Sequence, residues 1–276
     1  MGRKAIPFSK MNGSGNDFLL IDNRGGAMRG IDRPSFASKV CDRSRSIGAD
    51  GVILIEASRR ADFRWDFYNA DGSRAEMCGN GGRCAARFAA DRGIAGRDMA
   101  FETIAGILHA AVRGRTVKLQ MTRPKGLAVD RTLTLGGKRF TYSFLDTGVP
   151  HAVLLVPDVS KTDVAGTGRG IRRHRVFAPR GTNVDFVQES DGGLLVRTYE
   201  RGVEGETLAC GTGAVASAIL AALHGLVRPP VRVRTTGGET LTIHFDPGRK
   251  DFGEVFLEGD TSWSCDGSIL EEAYRY

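Results

Sequence analysis

The amino-acid sequence predicts an α+β fold with two pseudo-symmetric domains, each a curled antiparallel sheet around a central helix. Cys78 and Cys210 each stand directly before a glycine- and alanine-rich run that is typical of a helix. These two runs stop at Gly93 and Gly225, and the stop glycines are separated by the same number of residues as the two cysteines. Short solenoid repeats recur every few tens of residues, whereas this period is the size of a domain. The sequence therefore indicates two similar halves.

Short apolar or alternating runs bounded by Gly, Asp and Asn make up most of both halves, and they are typical of strands joined by tight turns. Antiparallel pairing should dominate, because short turns join neighbouring antiparallel strands. The predicted strands are Phe18–Asp22, Val52–Ala57, Phe63–Asn69, Ile107–Arg113, Thr116–Thr122, Phe140–Thr147, Ala152–Val156, Asn183–Glu189, Leu194–Glu200, Val231–Thr235, Glu239–Phe245 and Glu254–Glu258. The predicted helices are Pro34–Cys41, Gly79–Arg92, Asp163–Arg172 and Gly211–His224.

The domain boundary is predicted near the segment Arg123-Pro124-Lys125-Gly126. Residues 1–122 form the half with Cys78, and residues 123–263 form the half with Cys210. The last segment, residues 264–276, is expected to pack back on the first half. A small-molecule site is expected in a cleft between the halves, since domain interfaces are common places for such sites.

Composition excludes several classes of protein. The chain has 276 residues, 41% of them hydrophobic, which is typical of a soluble globular protein with two domains. Its net charge of +7 is spread out, without the aromatic residues that accompany basic patches in nucleic-acid surfaces. No apolar run has membrane-spanning length, and the N-terminus has no apolar leader region. Five scattered cysteines fit a reducing cytoplasm better than a disulfide framework. We expect a cytoplasmic protein that binds neither nucleic acid nor membrane.

The sequence carries no pattern for a metal or a cofactor. It has no CxxC pair and no HExxH motif, so no metal site is expected. No GxGxxG follows a strand, and no lysine lies in a setting typical of a pyridoxal phosphate Schiff base. We therefore expect a protein that works without a cofactor.

The placement of Cys78 and Cys210 suggests acid–base chemistry. A helix N-terminus stabilises a thiolate, and the glycines that follow each cysteine leave backbone N–H groups open to a substrate carboxylate. Two thiols that face one carbon from opposite sides could remove a proton from one face and return a proton to the other. In the simpler alternative the cysteines only cap two core helices, and the repeat reflects only ancestry.

Four segments, in this order, resemble the signature segments of the diaminopimelate epimerase family. They are Lys10-Met11-Asn12-Gly13-Ser14-Gly15-Asn16-Asp17-Phe18, the stretch from Asn69 through Glu76-Met77-Cys78-Gly79-Asn80-Gly81 to Cys84, Gly181-Thr182-Asn183-Val184, and Glu200-Arg201 running to Cys210-Gly211-Thr212-Gly213. The resemblance spans nearly the whole chain. It implies interconversion of LL- and meso-2,6-diaminopimelate without a cofactor, a two-domain pseudo-symmetric fold and usually a homodimer.

The resemblance also implies roles for individual residues. Cys78 and Cys210 match the acid–base pair. The residues at the two helix N-termini match those that hold the reacting α-carboxylate in the family; they are Gly79, Asn80, Gly211 and Thr212. The residues that match the remaining substrate contacts are Asn16, Asn69, Asn183, Glu200 and Arg201. His151 and Glu200 are candidates for tuning a thiol, and a buried structural histidine is the alternative interpretation of His151.

The sequence departs from the family pattern in three places. Val149 replaces an asparagine that contacts substrate in many members, and Gly51 stands where some members have glutamine. The stretch from Arg201 to Cys210 is one residue longer than in many members, which predicts a local bulge at residues 203–206. Two alternatives stay open: another cofactor-independent racemase, acting on proline, hydroxyproline or histidine, and a non-catalytic thiol-redox protein. Asn80 argues against the proline branch, which usually has His there.

Overall fold

A computed structural model describes residues 5–75, 77–249 and 251–276. Glu76 of the first cysteine motif and the first four residues of the chain lie outside the described residues. The chain divides into two compact units. The first comprises Met1–Leu119 with Gly259–Tyr276, and the second comprises Gln120–Glu258. No helix within the described residues is long and apolar enough to cross a membrane.

Seventeen strands and four α-helices are described. The strands are β1 (Ala5–Gly13), β2 (Asn16–Asp22), β3 (Gly51–Glu56), β4 (Phe63–Asn69), β5 (Asp98–Thr103), β6 (Gly106–Arg113), β7 (Thr116–Gln120), β8 (Lys125–Leu135), β9 (Lys138–Asp146), β10 (Pro150–Leu155), β11 (Asn183–Ser190), β12 (Gly193–Glu200), β13 (Gly205–Thr207), β14 (Val231–Thr235), β15 (Thr240–His244), β16 (Phe256–Asp260) and β17 (Ser262–Leu270). The helices are α1 (Arg33–Val40), α2 (Gly79–Asp91), α3 (Val164–Arg172) and α4 (Gly211–Leu223).

The two units share one strand topology. In the first unit β17, β1 and β2 pair antiparallel, β2 pairs parallel with β3, β3 antiparallel with β4, β4 parallel with β5, and β5 antiparallel with β6. The second unit repeats this order with β8, β9, β10, β11, β12, β14 and β15. This repetition confirms the predicted pseudo-symmetric α+β fold.

Antiparallel pairing dominates, as predicted, but each unit also contains two parallel pairs that the sequence analysis did not predict. They occur where a helix lies between the strands: α1 between β2 and β3, α2 between β4 and β5, α3 between β10 and β11, and α4 between β12 and β14. A crossover through a helix returns the chain to the same end of the sheet, so the next strand runs parallel.

Helices α2 and α4 are the buried helices of their units, as predicted. Gly82 of α2 allows a close approach to the strands, since a Cβ there would lie 2.7 Å from Leu119. The predicted stop glycines end both helices in the same way. Gly93 (φ 66°) and Gly225 (φ 73°) adopt the left-handed conformation that glycine favours after a helix. Each observed helix end coincides with the predicted one or lies one residue from it.

Five strands have no counterpart in the sequence analysis: β1, β5, β8, β13 and β17. Most residues of β8 and β17 are exposed, so these strands lack the alternation that marks a half-buried strand. The segment predicted as a linker runs directly into β8, which begins at Lys125. β17 pairs with β1 in the first unit.

Candidate functional site

Cys78 is the N-cap residue of α2. Its backbone is extended (φ −149°, ψ 116°), and its carbonyl accepts the N–H of Gly82 at 2.8 Å. The N–H of Gly81 points at the Cys78 Sγ, 3.4 Å away. The thiol is therefore seated at the positive end of the α2 dipole, where negative charge on sulfur is stabilised.

Cys210 occupies the corresponding position in the second unit, at the N-cap of α4. Its backbone is extended (φ −122°, ψ 107°), and its carbonyl accepts the N–H of Ala214 at 2.9 Å. Burial raises the pKa of this thiol well above its usual value, and the charges of Glu200 and Asp185 raise it further. The neighbouring Thr212 hydroxyl lowers the pKa but does not reverse the shift. The geometry thus favours the protonated form of Cys210.

The first amides of both helices are placed to bind an anion. The first N–H groups of an α-helix have no acceptor inside the helix, so Gly79 and Asn80 in α2, and Gly211 and Thr212 in α4, present donors at the helix mouths. Gly213 permits the tight packing behind the second mouth, since a Cβ there would collide with the Asp185 carboxylate. Each unit can therefore hold a carboxylate next to its cysteine.

A chain of side chains runs inward from Cys210. Its Sγ lies 3.5 Å from the Thr212 hydroxyl, and this hydroxyl lies 3.0 Å from Nε2 of His151. Nδ1 of His151 lies 2.7 Å from the carboxylate of Asp185, which also accepts a hydrogen bond from the Thr198 hydroxyl at 2.7 Å. His151 is fully buried, but its contacts link it to the cysteine, so it is more than a packed core residue.

Asn183 and Arg201 lie next to this series of side chains. The Arg201 backbone N–H donates to Oδ1 of Asn183 at 2.8 Å, which turns Nδ2 of Asn183 towards Nε2 of His151, 3.4 Å away. Among the described residues the Arg201 guanidinium forms no ion pair, and it donates to the Arg180 carbonyl at 3.4 Å. An arginine without a carboxylate partner is available to bind a carboxylate ligand.

Glu200 ends β12 next to these residues. Burial raises the pKa of its carboxyl group, against the lowering influence of the Thr207 hydroxyl and of His151. The longer segment that follows does not form a simple bulge. It makes a turn in which Glu204 is left-handed (φ 57°), and β13 then pairs back on β12.

In the first unit Asn16 and Asn80 lie together near Cys78. Nδ2 of Asn80 donates to Oδ1 of Asn16 at 2.8 Å, and Nδ2 of Asn16 donates to Asp50 at 2.9 Å. Asn69 pairs with Gly51 across β3 and β4, and its Nδ2 donates to the Ser73 hydroxyl at 2.9 Å within a turn. Asn69 therefore shapes its own turn.

Sequence reasoning gave no role to Asp50, Arg83 or Asp185, which contact the predicted residues directly. Asp185 could have been found, because it lies two residues after Asn183 on the same face of β11. Arg83 could not, since a charged residue on a predicted helix is normally exposed, whereas here it is fully buried.

The fold is shared with solved structures of two other kinds of protein. A Bacillus anthracis phenazine biosynthesis protein of the PhzF family superposes with a TM-score of 0.73 at 14% identity, covering 96% of this chain and 99% of that chain. A probable proline racemase from Agrobacterium radiobacter K84 gives a TM-score of 0.72 at 16% identity, covering 96% and 93%. These similarities define the fold class.

The sequence similarity is more specific. The model of the diaminopimelate epimerase family matches residues 8–127 and 143–263. A diaminopimelate epimerase of Aquifex aeolicus is 50% identical over 283 residues, which cover 98% of this chain and all of the relative. Another from Archaeoglobus fulgidus is 42% identical over 98% of this chain and 99% of the relative. The chain belongs to the diaminopimelate epimerase family.

Proposed function

We propose that the chain interconverts LL- and meso-2,6-diaminopimelate, with Cys78 and Cys210 as the acid–base pair. The observation that carries this proposal is the cysteine N-cap at the equivalent helix of each unit. The family to which the chain belongs and the names of its relatives support the substrate.

In the proposed reaction both thiols act on one α-carbon. A cysteine thiolate takes the α-proton, so an S–H bond forms while the C–H bond breaks and its electron pair stays on carbon. The opposite thiol then gives its proton to the other face, which inverts the centre and leaves a thiolate there. Helix-mouth amides of Gly79, Asn80, Gly211 and Thr212 stabilise the charge that grows on the α-carboxylate during proton removal.

We assign the role of proton donor in one direction of the reaction to Cys210. Because the pKa of its thiol is raised, it is protonated at neutral pH. In the reverse direction Cys210 must lose its proton, and the Thr212 hydroxyl offers a path. The S–H proton passes to Thr212 Oγ1 while the hydroxyl proton passes to His151 Nε2, which yields a thiolate and an imidazolium held by Asp185.

The non-reacting end of the substrate needs different groups. We assign its carboxylate to Arg201, whose planar fork suits a carboxylate, and its remaining polar groups to Asn69, Asn183 and Glu200. Asn16 completes the substrate contacts beside Asn80. Following the family resemblance, we further propose that the protein is cytoplasmic and that it forms a homodimer. Light scattering on the purified protein would test the homodimer.

The deciding experiment follows proton exchange at the α-carbons by NMR, with LL-diaminopimelate and the enzyme in deuterated water. Wild type should incorporate deuterium and form the meso isomer, whereas Cys78→Ala and Cys210→Ala should not epimerise. Cys265→Ala, at an exposed cysteine, is the matched control and should retain activity. A thiol-redox protein predicts no exchange in any variant, and a proline-type racemase predicts exchange on proline instead.

A further inference from the structure

Four side chains of the first unit form a continuous hydrogen-bonded series from the interior to the surface. The fully buried guanidinium of Arg83 donates from Nη2 to Oδ1 of Asn80 at 3.0 Å. Nδ2 of Asn80 donates to Oδ1 of Asn16 at 2.8 Å, and Nδ2 of Asn16 donates to Oδ2 of Asp50 at 2.9 Å. Two amides, both among the proposed substrate contacts, are thus held between a cation and an anion.

The two ends of this series determine which way each amide points. An arginine can only donate hydrogen bonds, so the atom of Asn80 that faces Arg83 must be its oxygen. The NH₂ group of Asn80 then faces Asn16, which must present its own oxygen. A carboxylate can only accept, so Asp50 requires the NH₂ group of Asn16, and both ends therefore demand the same direction.

Both ends are themselves fixed by further contacts. Arg83 also donates from Nη2 to the Ser14 hydroxyl at 2.7 Å and from Nη1 to the Gly79 carbonyl at 3.4 Å. Asp50 accepts the backbone N–H of Asp17 at 3.2 Å through the same oxygen that binds Asn16, and its other oxygen pairs with Arg43 at 2.8 Å. An amide between such anchors cannot rotate by 180° without placing like groups together.

We propose that Arg83 and Asp50 are positioning residues that fix the amide direction of Asn80 and Asn16 for substrate binding, an inference that rests on the proposed function. An amide offers a donor on one side and an acceptor on the other, so a reversed amide would meet a substrate ammonium or carboxylate with the wrong group. Arg83 and Asp50 thereby set what the substrate encounters without touching it.

The test is a double-mutant cycle with Arg83→Met and Asp50→Asn. Each change frees one end of the series, and each should lower kcat/KM by about 10- to 100-fold, mainly through KM. Because both residues act on the same two amides, kcat/KM of the double variant should be no more than about threefold below that of the less active single variant. Losses that simply multiply would show two independent structural effects and overturn the proposal.

Two further variants provide controls. Arg83→Lys keeps a donor at the buried end and should recover part of the KM that Arg83→Met loses. Arg43→Met removes the partner of the other Asp50 oxygen but leaves the acceptor for Asn16, so its KM should stay close to that of wild type. A KM change in Arg43→Met as large as that in Asp50→Asn would contradict the proposal.

A second measurement uses the folded wild-type enzyme and does not depend on activity. With ¹⁵N-labelled asparagine, one side-chain proton on each of Asn16 and Asn80 should be protected from exchange without substrate. Asp50→Asn should remove that protection at Asn16. Rapid exchange of both protons in wild type would overturn the inference, whereas protected amides in a protein that does not epimerise diaminopimelate would contradict only the proposed function.

Discussion

Nδ1 of His151 lies 2.7 Å from the carboxylate of Asp185, and both side chains are fully buried. A carboxylate accepts hydrogen bonds, so Nδ1 must carry the proton and Nε2 is left as the acceptor. The amide of Asn183, whose NH₂ group points at Nε2, agrees with this tautomer. Asp185 therefore aims the basic nitrogen of His151 at Thr212 and, through it, at Cys210.

The first prediction concerns Asp185→Asn. Losing a charge-assisted hydrogen bond is worth about 1.5–3 kcal/mol, so kcat/KM should fall by roughly 10- to 100-fold. The negative charge of Asp185 also raises the pKa of Cys210, so alkylation of Cys210 should begin at lower pH in this variant. Asp158→Asn, at an exposed turn of the same unit, is the control. An unchanged alkylation profile would show that Asp185 has only a structural role.

The second prediction concerns the Thr212 hydroxyl. Thr212→Val keeps the shape and the backbone N–H but removes the link between Cys210 and His151, and the loss of a neutral hydrogen bond should lower kcat about 3- to 10-fold. Thr212→Ser retains the hydroxyl and should stay within about twofold of wild type. Steady-state rates in both directions test this, and equal losses in the two variants would refute a relay through the hydroxyl.

The third prediction concerns Arg201. Removing a charge-assisted pair with the distal carboxylate loses about 2–4 kcal/mol, so Arg201→Met should lower kcat/KM roughly 30- to 1000-fold. Lysine lacks that carboxylate. Wild type should discriminate strongly against lysine, and Arg201→Met should lose most of this discrimination. If the ratio of kcat/KM for diaminopimelate to kcat/KM for lysine is the same in Arg201→Met as in wild type, Arg201 binds some other group.

The fourth prediction concerns the pH dependence of stability. Burial raises the pKa of Glu200 in the folded protein above its ordinary value of 4.5. At a pH below that value the Glu200 carboxyl is protonated in both the folded and the unfolded protein. As the pH rises through the pKa of the folded state, the buried carboxyl becomes charged and the free energy of unfolding falls. Glu200→Gln should therefore raise the free energy of unfolding at pH 7 relative to wild type, but not at pH 4. Urea unfolding at both pH values measures the free energy of unfolding. The same difference between Glu200→Gln and wild type at pH 4 and at pH 7 would contradict the prediction.

Much of the fold was predictable from local patterns. The helices α2 and α4, their capping cysteines and their stop glycines follow from residue types at fixed spacings, because caps and left-handed glycines depend on nearby backbone. Strands such as β8 and β17 were missed because exposed strands carry no apolar alternation. Parallel pairing was missed because it depends on where a helical crossover returns the chain.

For the site, the sequence by itself determined the two cysteines at helix N-termini and the polar residues of the four signature segments. Only the tertiary structure decided their direction and environment. It placed Asp185 behind His151 and fixed the Asn80 and Asn16 amides between Arg83 and Asp50. These contacts join residues far apart in the chain, and the choice of donor or acceptor depends on which charged partner the fold brings within hydrogen-bonding distance.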